Sequence, residues 1–338
     1  MGGMKAIQVT KPGGEFQLVE RPIPEPGPHE VRLKVQACGI CHSDMYCKEG
    51  VFPWVTYPRV PGHEVIGVID KAGSEVRCWK SGERVGVGWH GGHCFSCNHC
   101  RHGDFVTCAK QKISGLSIDG GYAEYMVVGA EALALVPPEL DALAAAPLLC
   151  AGVTTFNALR NSGAKWGQVV AIQGIGGLGH LGLQYARRMG FRTVAVSNSP
   201  AKRDLALQLG AHVYIDASAQ SPAAELQKMG GARVILATAP NSRSMEPLVD
   251  ALGVNGRLIV VGVGPDPITI MPRQLIPQRK AVSGWPSGRP IDSEETLSFS
   301  ALTGVKAMVE SFPLEKAAEG YARMMSNQAR FRAVLAMA

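Results

Sequence analysis

The chain has 338 residues, 46% of them hydrophobic and 18% charged, with a formal net charge of +6. That length exceeds what one core usually supports and predicts two domains, while no apolar run is long and uninterrupted enough to cross a bilayer. The start, Met1-Gly-Gly-Met-Lys-Ala, lacks a signal-peptide core and places Ala6 where a myristoylation motif wants Ser or Thr, so a cytoplasmic protein without a membrane anchor is expected. Lys and Arg are scattered rather than clustered among aromatics, which argues against a nucleic-acid surface and for a solvated surface mildly favouring anionic ligands.

From the N-terminus, "MKAIQVT", "EVRLKVQACG", "EVIGVIDKAG", "GERVGVG" and "AEYMVVG" read as short strands separated by Gly and Pro. Residues 1 to about 150 therefore read as a β-rich domain with its Cys and His in loops. From Gln168 the pattern becomes "VVAIQG", "TVAVSNS", "HVYIDA", "RVILATA", "RLIVVGV" and "AVSGW". Short Val/Ile runs alternating with helical patterns predict an α/β domain with a doubly wound parallel sheet, covered on both faces. The segment from about Ile291 reads as helical, and the final "RFRAVLAM" as a strand returning to the first domain.

All nine cysteines lie at or before Cys150. An odd number in a chain without a secretion signal points to metal ligation rather than a disulfide framework. The stretch "CGICHSD", residues 38 to 44, raises the choice between a redox C-x-x-C pair and a metal site. A thioredoxin-like pair belongs at the start of a helix beside a βαβ unit, and here such units lie far downstream. Cys38 accordingly reads as a small buried residue, and Cys47 and Cys78 have no assigned ligand role. The stretch "CFSCNHCRHGDFVTC" carries Cys94, Cys97, Cys100 and Cys108. Four thiolates at this spacing can wrap one tetrahedral zinc with no open position, a structural site, with an iron–sulfur cluster or idle thiols as the alternatives. His93, His99 and His102 lie nearby, but the tetrahedron is complete without them.

The stretch "QGIGGLGH" places Gly174, Gly176 and Gly179, with Gly177 and Leu178 between them, after a strand and before a helix. In that context the glycines let the backbone approach a dinucleotide pyrophosphate at the helix N-terminus; a turn without ligand is the alternative. A site for NAD wants a carboxylate at the end of the next strand. Here "TVAV" runs into Ser197-Asn198-Ser199, and Lys202 and Arg203 follow Pro200. Cations in a first helical turn oppose the dipole but suit a 2′-phosphate, so NADP(H) is favoured over NAD(H), with a solvated basic pair as the alternative. Finally, "PGHEVIG" offers His63 and Glu64 and "PLLCAG" offers Cys150. With Cys41 these make an S,S,N set that leaves a fourth position open, as a catalytic zinc requires.

With "CGICHSD", "GHE", the four-cysteine lobe, "GGYAEY", "LLCAG" and "GIGGLGH" in this order, the chain resembles a zinc-dependent alcohol dehydrogenase of the medium-chain dehydrogenase/reductase family over nearly its whole length. The resemblance implies a GroES-like β-barrel catalytic domain over 1–152 and 291–338 that holds two zinc ions, one catalytic and one structural. A Rossmann domain would cover 153–290. It implies that Cys41, His63 and Cys150 bind the catalytic zinc, that Glu64 sits behind it as an alternate ligand, and that Asp44 orients His63. His42 and Arg332 would meet the cofactor pyrophosphate, Ser43 would hydrogen-bond the substrate oxygen and begin a proton relay, and Thr154 would lie near the nicotinamide.

The chain departs from the family pattern at Tyr46, where many relatives have a relay histidine, and at Trp285, where they often have a small residue. With Trp54 and Trp89, Trp285 would make the substrate pocket aromatic and tight, although ordinary packing explains any single Trp as well. The implied reaction is reversible hydride transfer between NAD(P) and a primary alcohol, aromatic if these Trp residues line the pocket, or its aldehyde. Such an enzyme binds a small alcohol or aldehyde, neither nucleic acid nor membrane, and is a homo-oligomer, tetramer or dimer. A polyol or sugar-alcohol dehydrogenase is the alternative within the family. A zinc-containing nucleic-acid-binding protein and a non-catalytic nucleotide sensor are alternatives of other classes.

Overall fold

The computed structural model describes residues 2–337. The chain forms two compact units, Met1–Val153 with Ser287–Ala338, and Thr154–Pro286.

In the first unit β1 (Gly3–Gln8) and β2 (Gln17–Pro22) form an antiparallel pair. The main sheet is organised by the long β3 (Glu30–Ile40), whose alternating pattern buries Val31, Leu33 and Val35 on one face. One edge of β3 pairs with β4 (Val65–Ala72). Its other edge is shared between two strands that follow much later in the chain, β8 (Tyr125–Gly129) at its start and β17 (Arg332–Ala336) at its end. β5 (Arg84–Val87) extends the sheet from β4, β9 (Leu133–Leu135) from β5, and β16 (Val309–Pro313) lies parallel to β17. β6 (His90–Gly92) and β7 (Lys112–Ile113) form a small separate pair. The C-terminal segment has helices at Pro290–Thr303 and Ala317–Met325, but the strand β16 lies between them, so it is not helical throughout. Val309–Pro313 contains no fully buried residue, which is why its strand character shows only through its pairing with β17.

The second unit is a six-stranded, wholly parallel sheet of β10 (Val169–Gln173), β11 (Arg192–Ser197), β12 (Val213–Asp216), β13 (Ala232–Ala237), β14 (Leu252–Val260) and β15 (Ala281–Gly284). Its spatial order, β12-β11-β10-β13-β14-β15, reverses direction at β10, beside which the first strand of the second half is laid. Ligands of open α/β sheets bind outside the carboxyl ends of the strands at such a reversal. All five residues of β10 are buried, as expected of a strand covered on both faces. Among the described residues no single helix is long and apolar enough to cross a membrane.

Candidate active site

β3 ends at Ile40, and the chain turns at once into a single 3-10 turn, His42–Asp44, that presents the side chains of Cys41, His42 and Ser43. The turn is held by Asp44, whose Oδ2 accepts the Cys41 N–H at 2.8 Å. Asp44 is buried, and its Oδ1 lies 3.1 Å from Nδ1 of the equally buried His63. With the carboxylate on Nδ1, the other ring nitrogen of His63 is left as a ligand, the arrangement by which outer carboxylates set the tautomer of metal-binding histidines.

Ligand atoms of Cys41, His63, Glu64 and Cys150 lie within 4.8 Å of one another. Cys150 reaches them from the end of the turn Ala146–Leu149, just before the helix Ala151–Arg160 that carries the nearly buried Thr154. The sulfurs of Cys41 and Cys150 are 3.8 Å apart. Zinc–sulfur bonds of about 2.3 Å at a tetrahedral angle separate two sulfurs by about 3.8 Å. His63 Nε2 and Glu64 Oε2 are buried without a hydrogen-bond partner. Buried polar atoms ordinarily have partners; a cation among these four residues supplies the missing one. The donor set therefore fits zinc.

The electrostatics agree. A hydrogen bond from Cys150 holds the Cys41 thiol well below its ordinary pKa, assisted by His63, and Cys150 is pushed well up in exchange. Burial works against the charge on His63, but Asp44 and the Cys41 thiolate overcome it and raise that pKa well above the usual value. Burial lifts the Glu64 carboxyl to about 8 against the pull of Arg332. The Cys41 thiolate thus stands out of water beside a protonated His63, whose proton a cation binding at Nε2 would displace.

Arg332, which the resemblance assigns to the pyrophosphate, is in contact with the ligand cluster. It opens β17, is 4% exposed, and one guanidinium nitrogen is paired with Glu64 and bonded to the Ile40 carbonyl at 3.3 Å. Its pairing with Glu64 makes it the inner support of the ligand cluster, a role that sequence reading missed because it depends on β17 pairing with β3.

Around the cluster, Trp89 stands edge-on to His63 with ring centroids 5.1 Å apart, and Tyr46 is edge-on to Trp89 at 6.3 Å. Phe52, not singled out from sequence, packs on Tyr46 at 5.2 Å and stacks on Trp54 at 5.1 Å, leaving Trp54 about half exposed. Trp285 belongs to the second unit, directly after β15, and its Nε1 is buried without a partner.

The four cysteines of the lobe also converge. Sulfur separations are 4.0 Å for Cys94 and Cys100, 3.9 Å for Cys97 and Cys108, and 3.6 Å for Cys94 and Cys108, again near the tetrahedral value. Donors point at the sulfurs: Ser96 Oγ and the Cys97 N–H donate to Cys94 at 3.5 and 3.3 Å, and the Lys110 N–H to Cys108 at 3.3 Å. The Ser96 bonds lead in lowering Cys94 to about 5. His93, His99 and His102 contribute no atom to this cluster. His93 instead stacks on Phe105 at 4.1 Å and bonds to His90 at 2.9 Å.

In the second unit the glycine turn joins β10 to the helix Gly179–Arg188. Gly174 has φ +86°, and a Cβ on Gly179 would strike the Gly174 carbonyl, whereas a Cβ on Gly176 would meet nothing within 4 Å. Two glycines thus shape the turn, and the third, followed by Gly177 and Leu178, borders the open space that a pyrophosphate can fill. Thr238 Oγ1, at the end of β13, bonds to the Gln173 and Gly174 carbonyls at 2.9 Å each and fastens the turn. Ser197 ends β11 buried, followed by the exposed Asn198 and half-buried Ser199, which precedes Pro200 as a helix cap without making a side-chain capping bond. Lys202 does not stand free: its Nζ donates to the Ile175 carbonyl at 2.9 Å, while Arg203 is exposed. The nearest strand-end carboxylate, Asp216, is beside Ser197 in register and is bonded to Ser218.

Residues 27–138 match the alcohol dehydrogenase GroES-like domain family, and residues 177–302 the zinc-binding dehydrogenase family. The chain is 42% identical over 325 residues to an alcohol dehydrogenase of Aspergillus sp. (strain MF297-2), covering 96% of this chain and 95% of that one. Among solved structures it is similar to a cinnamyl alcohol dehydrogenase of Sorghum bicolor, at 29% identity and a TM-score of 0.89 over 99% of this chain and 98% of that one. It is also similar to a zinc-binding dehydrogenase from Sinorhizobium meliloti 1021 bound to NADP, at 27% identity and a TM-score of 0.88 over 99% and 100%. A GroES-like domain joined to a Rossmann domain, ligand clusters that fit zinc and a glycine turn that fits a dinucleotide carry the same conclusion: the chain belongs to the zinc-dependent, NAD(P)-dependent alcohol dehydrogenases of the medium-chain dehydrogenase/reductase family.

Proposed function

We propose that the protein interconverts a primary, planar aromatic alcohol and its aldehyde, with NADP(H) preferred over NAD(H), and that each chain holds two zinc ions. The observation that carries this reading is the meeting of Cys41, His63, Glu64 and Cys150 with the unpartnered His63 Nε2. Cys41, His63 and Cys150 would hold the catalytic ion, with Glu64 as alternate ligand, and Cys94, Cys97, Cys100 and Cys108 the structural one. Bound there, zinc supplies Lewis acidity toward the substrate oxygen, and the nicotinamide exchanges the hydride with the substrate carbon. The chain's own residues do the rest. Asp44 holds His63 in its ligating tautomer, and Ser43 Oγ hydrogen-bonds the substrate oxygen and takes or returns its proton. In place of a relay histidine, Tyr46 leaves proton exchange to its own hydroxyl or to water. Thr154 would lie against the nicotinamide and His42 against the pyrophosphate.

The aromatic run Trp89, Tyr46, Phe52, Trp54 supports a planar apolar substrate over a polyol, which would leave its hydroxyls without partners on such a wall. The absence of a carboxylate at Ser197 and the exposed Arg203 support NADP(H); Lys202, tied to the glycine turn, would act by keeping that turn near the cation. The same reading takes the enzyme as a cytoplasmic homo-oligomer, tetramer or dimer, joined through the edge strand β15.

The test is oxidation of NADPH and of NADH by the zinc-loaded protein with benzaldehyde, followed at the nicotinamide absorbance, for wild type and Cys41→Ala. Turnover with NADPH preferred, and its loss in Cys41→Ala while one zinc remains, is the expected result. Full activity in Cys41→Ala would overturn the assigned site.

A further inference from the structure

The carboxylate that orients His63 is itself held by a group with no assigned role. The hydroxyl of Tyr122 donates to Asp44 Oδ2 at 2.8 Å, both residues being almost wholly removed from water. Asp44 thus receives the Tyr122 O–H and the Cys41 N–H on one oxygen and faces His63 Nδ1 with the other. Tyr122 reaches this position because residues 120–122 run along the loop before His63. Gly120 N–H donates to the Val60 carbonyl at 2.8 Å, Gly121 N–H to Gly62 at 3.1 Å and Tyr122 N–H to Pro61 at 3.0 Å. The fit is close: a Cβ on Gly62 would lie 2.5 Å from the Tyr122 ring. An apolar ring would fill the same core, so packing alone does not require the hydroxyl. Asp44 uses it.

We infer that Tyr122 is a positioning residue for the catalytic metal: through Asp44 it fixes the ring of His63 and the direction of its Nε2. A buried carboxylate with two donors on Oδ2 has one orientation, with Oδ1 on His63. Deprived of the phenol, it keeps one donor on that oxygen and can turn, and the imidazole turns with it. The inference rests on the reading that Cys41, His63 and Cys150 hold the zinc.

The experiment compares wild type with Tyr122→Phe, which keeps the ring and deletes only the oxygen. Zinc release to a chromogenic chelator is timed, and the visible spectrum is recorded after cobalt replaces the catalytic ion. The expected result is two zinc per chain in wild type, with one held about 10-fold or more weakly in Tyr122→Phe, a shifted cobalt spectrum, and a melting temperature close to wild type. In an Asp44→Asn background the same substitution should add no further loss. Equal release rates and identical cobalt spectra overturn the inference, as does a fall in melting temperature with unchanged metal affinity. Should Tyr122→Phe fail to fold, 3-fluorotyrosine at this position, nearly the same size but a stronger donor, must alter the release rate; an unaltered rate overturns the inference. If Cys41→Ala retains as much zinc as wild type, the metal reading fails instead, and the inference with it; the two failures are distinguished by that control.

Discussion

Gly62→Ala should damage the protein through two separable terms. Gly62 has φ +102°, and its Cβ would lie 2.5 Å from Tyr122 Cδ1 and 2.7 Å from Cys38 Sγ, both fully buried. A side chain held in that backbone region costs about 1–3 kcal/mol. Forcing a methyl into a filled core costs about 1–3 kcal/mol more, because neither a buried ring nor a buried sulfur can withdraw. The control is Gly82→Ala: Gly82 has φ +92°, but its Cβ would meet nothing within 4 Å, so it carries the backbone term alone. At about 2–4 °C per kcal/mol for a unit of this size, calorimetry of the zinc-loaded proteins should show Gly62→Ala melting about 5–15 °C below wild type. Gly82→Ala should lose about half as much or less. Because the methyl pushes Tyr122 away from Asp44, Gly62→Ala should also release its catalytic zinc faster, which Gly82→Ala should not. Equal melting losses in the two variants would refute the packing argument, and unchanged zinc release would refute its link to the metal.

Other expectations are more local. Cys97→Ala should lose one zinc per chain and melt well below wild type before chemistry suffers, and an unaltered melting temperature with one zinc fewer would count against a structural ion. Replacing Lys202 and Arg203 together by Ala should raise the KM for NADP⁺ about 10-fold more than that for NAD⁺; equal changes would point to a solvated basic pair. His90 is held down to about 4 by burial and by His93. An unfolded histidine titrates near about 6.5, so the stability due to neutral His90 is full above that value and lost as pH falls toward 4, at up to about 1.4 kcal/mol per pH unit. The melting temperature of His90→Gln should therefore fall less steeply than that of wild type between about pH 6.5 and 4, and parallel profiles would exclude His90 as the cause.

Much of the site was legible because its signals are local. Thiolates in a short Gly-containing stretch, a glycine turn between an apolar run and a helical pattern, and a Ser-Asn-Ser strand end announce themselves within a few residues, as do the continuous Val/Ile runs of a sheet covered on both faces. What the sequence could not supply is which distant residues share one carboxylate or one sulfur. Arg332 supports Glu64 because β17 pairs with the end of β3, a contact across nearly the whole chain. Tyr122 reaches Asp44 because residues 120–122 lie along the loop before His63. Lys202 bonds to the Ile175 carbonyl because two strand-end turns of the parallel sheet sit side by side, and β16 is a strand only because β17 lies beside it. Residue type and spacing determine what chemistry a segment can offer, since ligand strength, turn geometry and burial are properties of neighbours along the chain. Partnership between buried polar groups is decided by strand pairing and loop contact, since a desolvated charge or hydroxyl takes whichever partner the tertiary fold brings within reach.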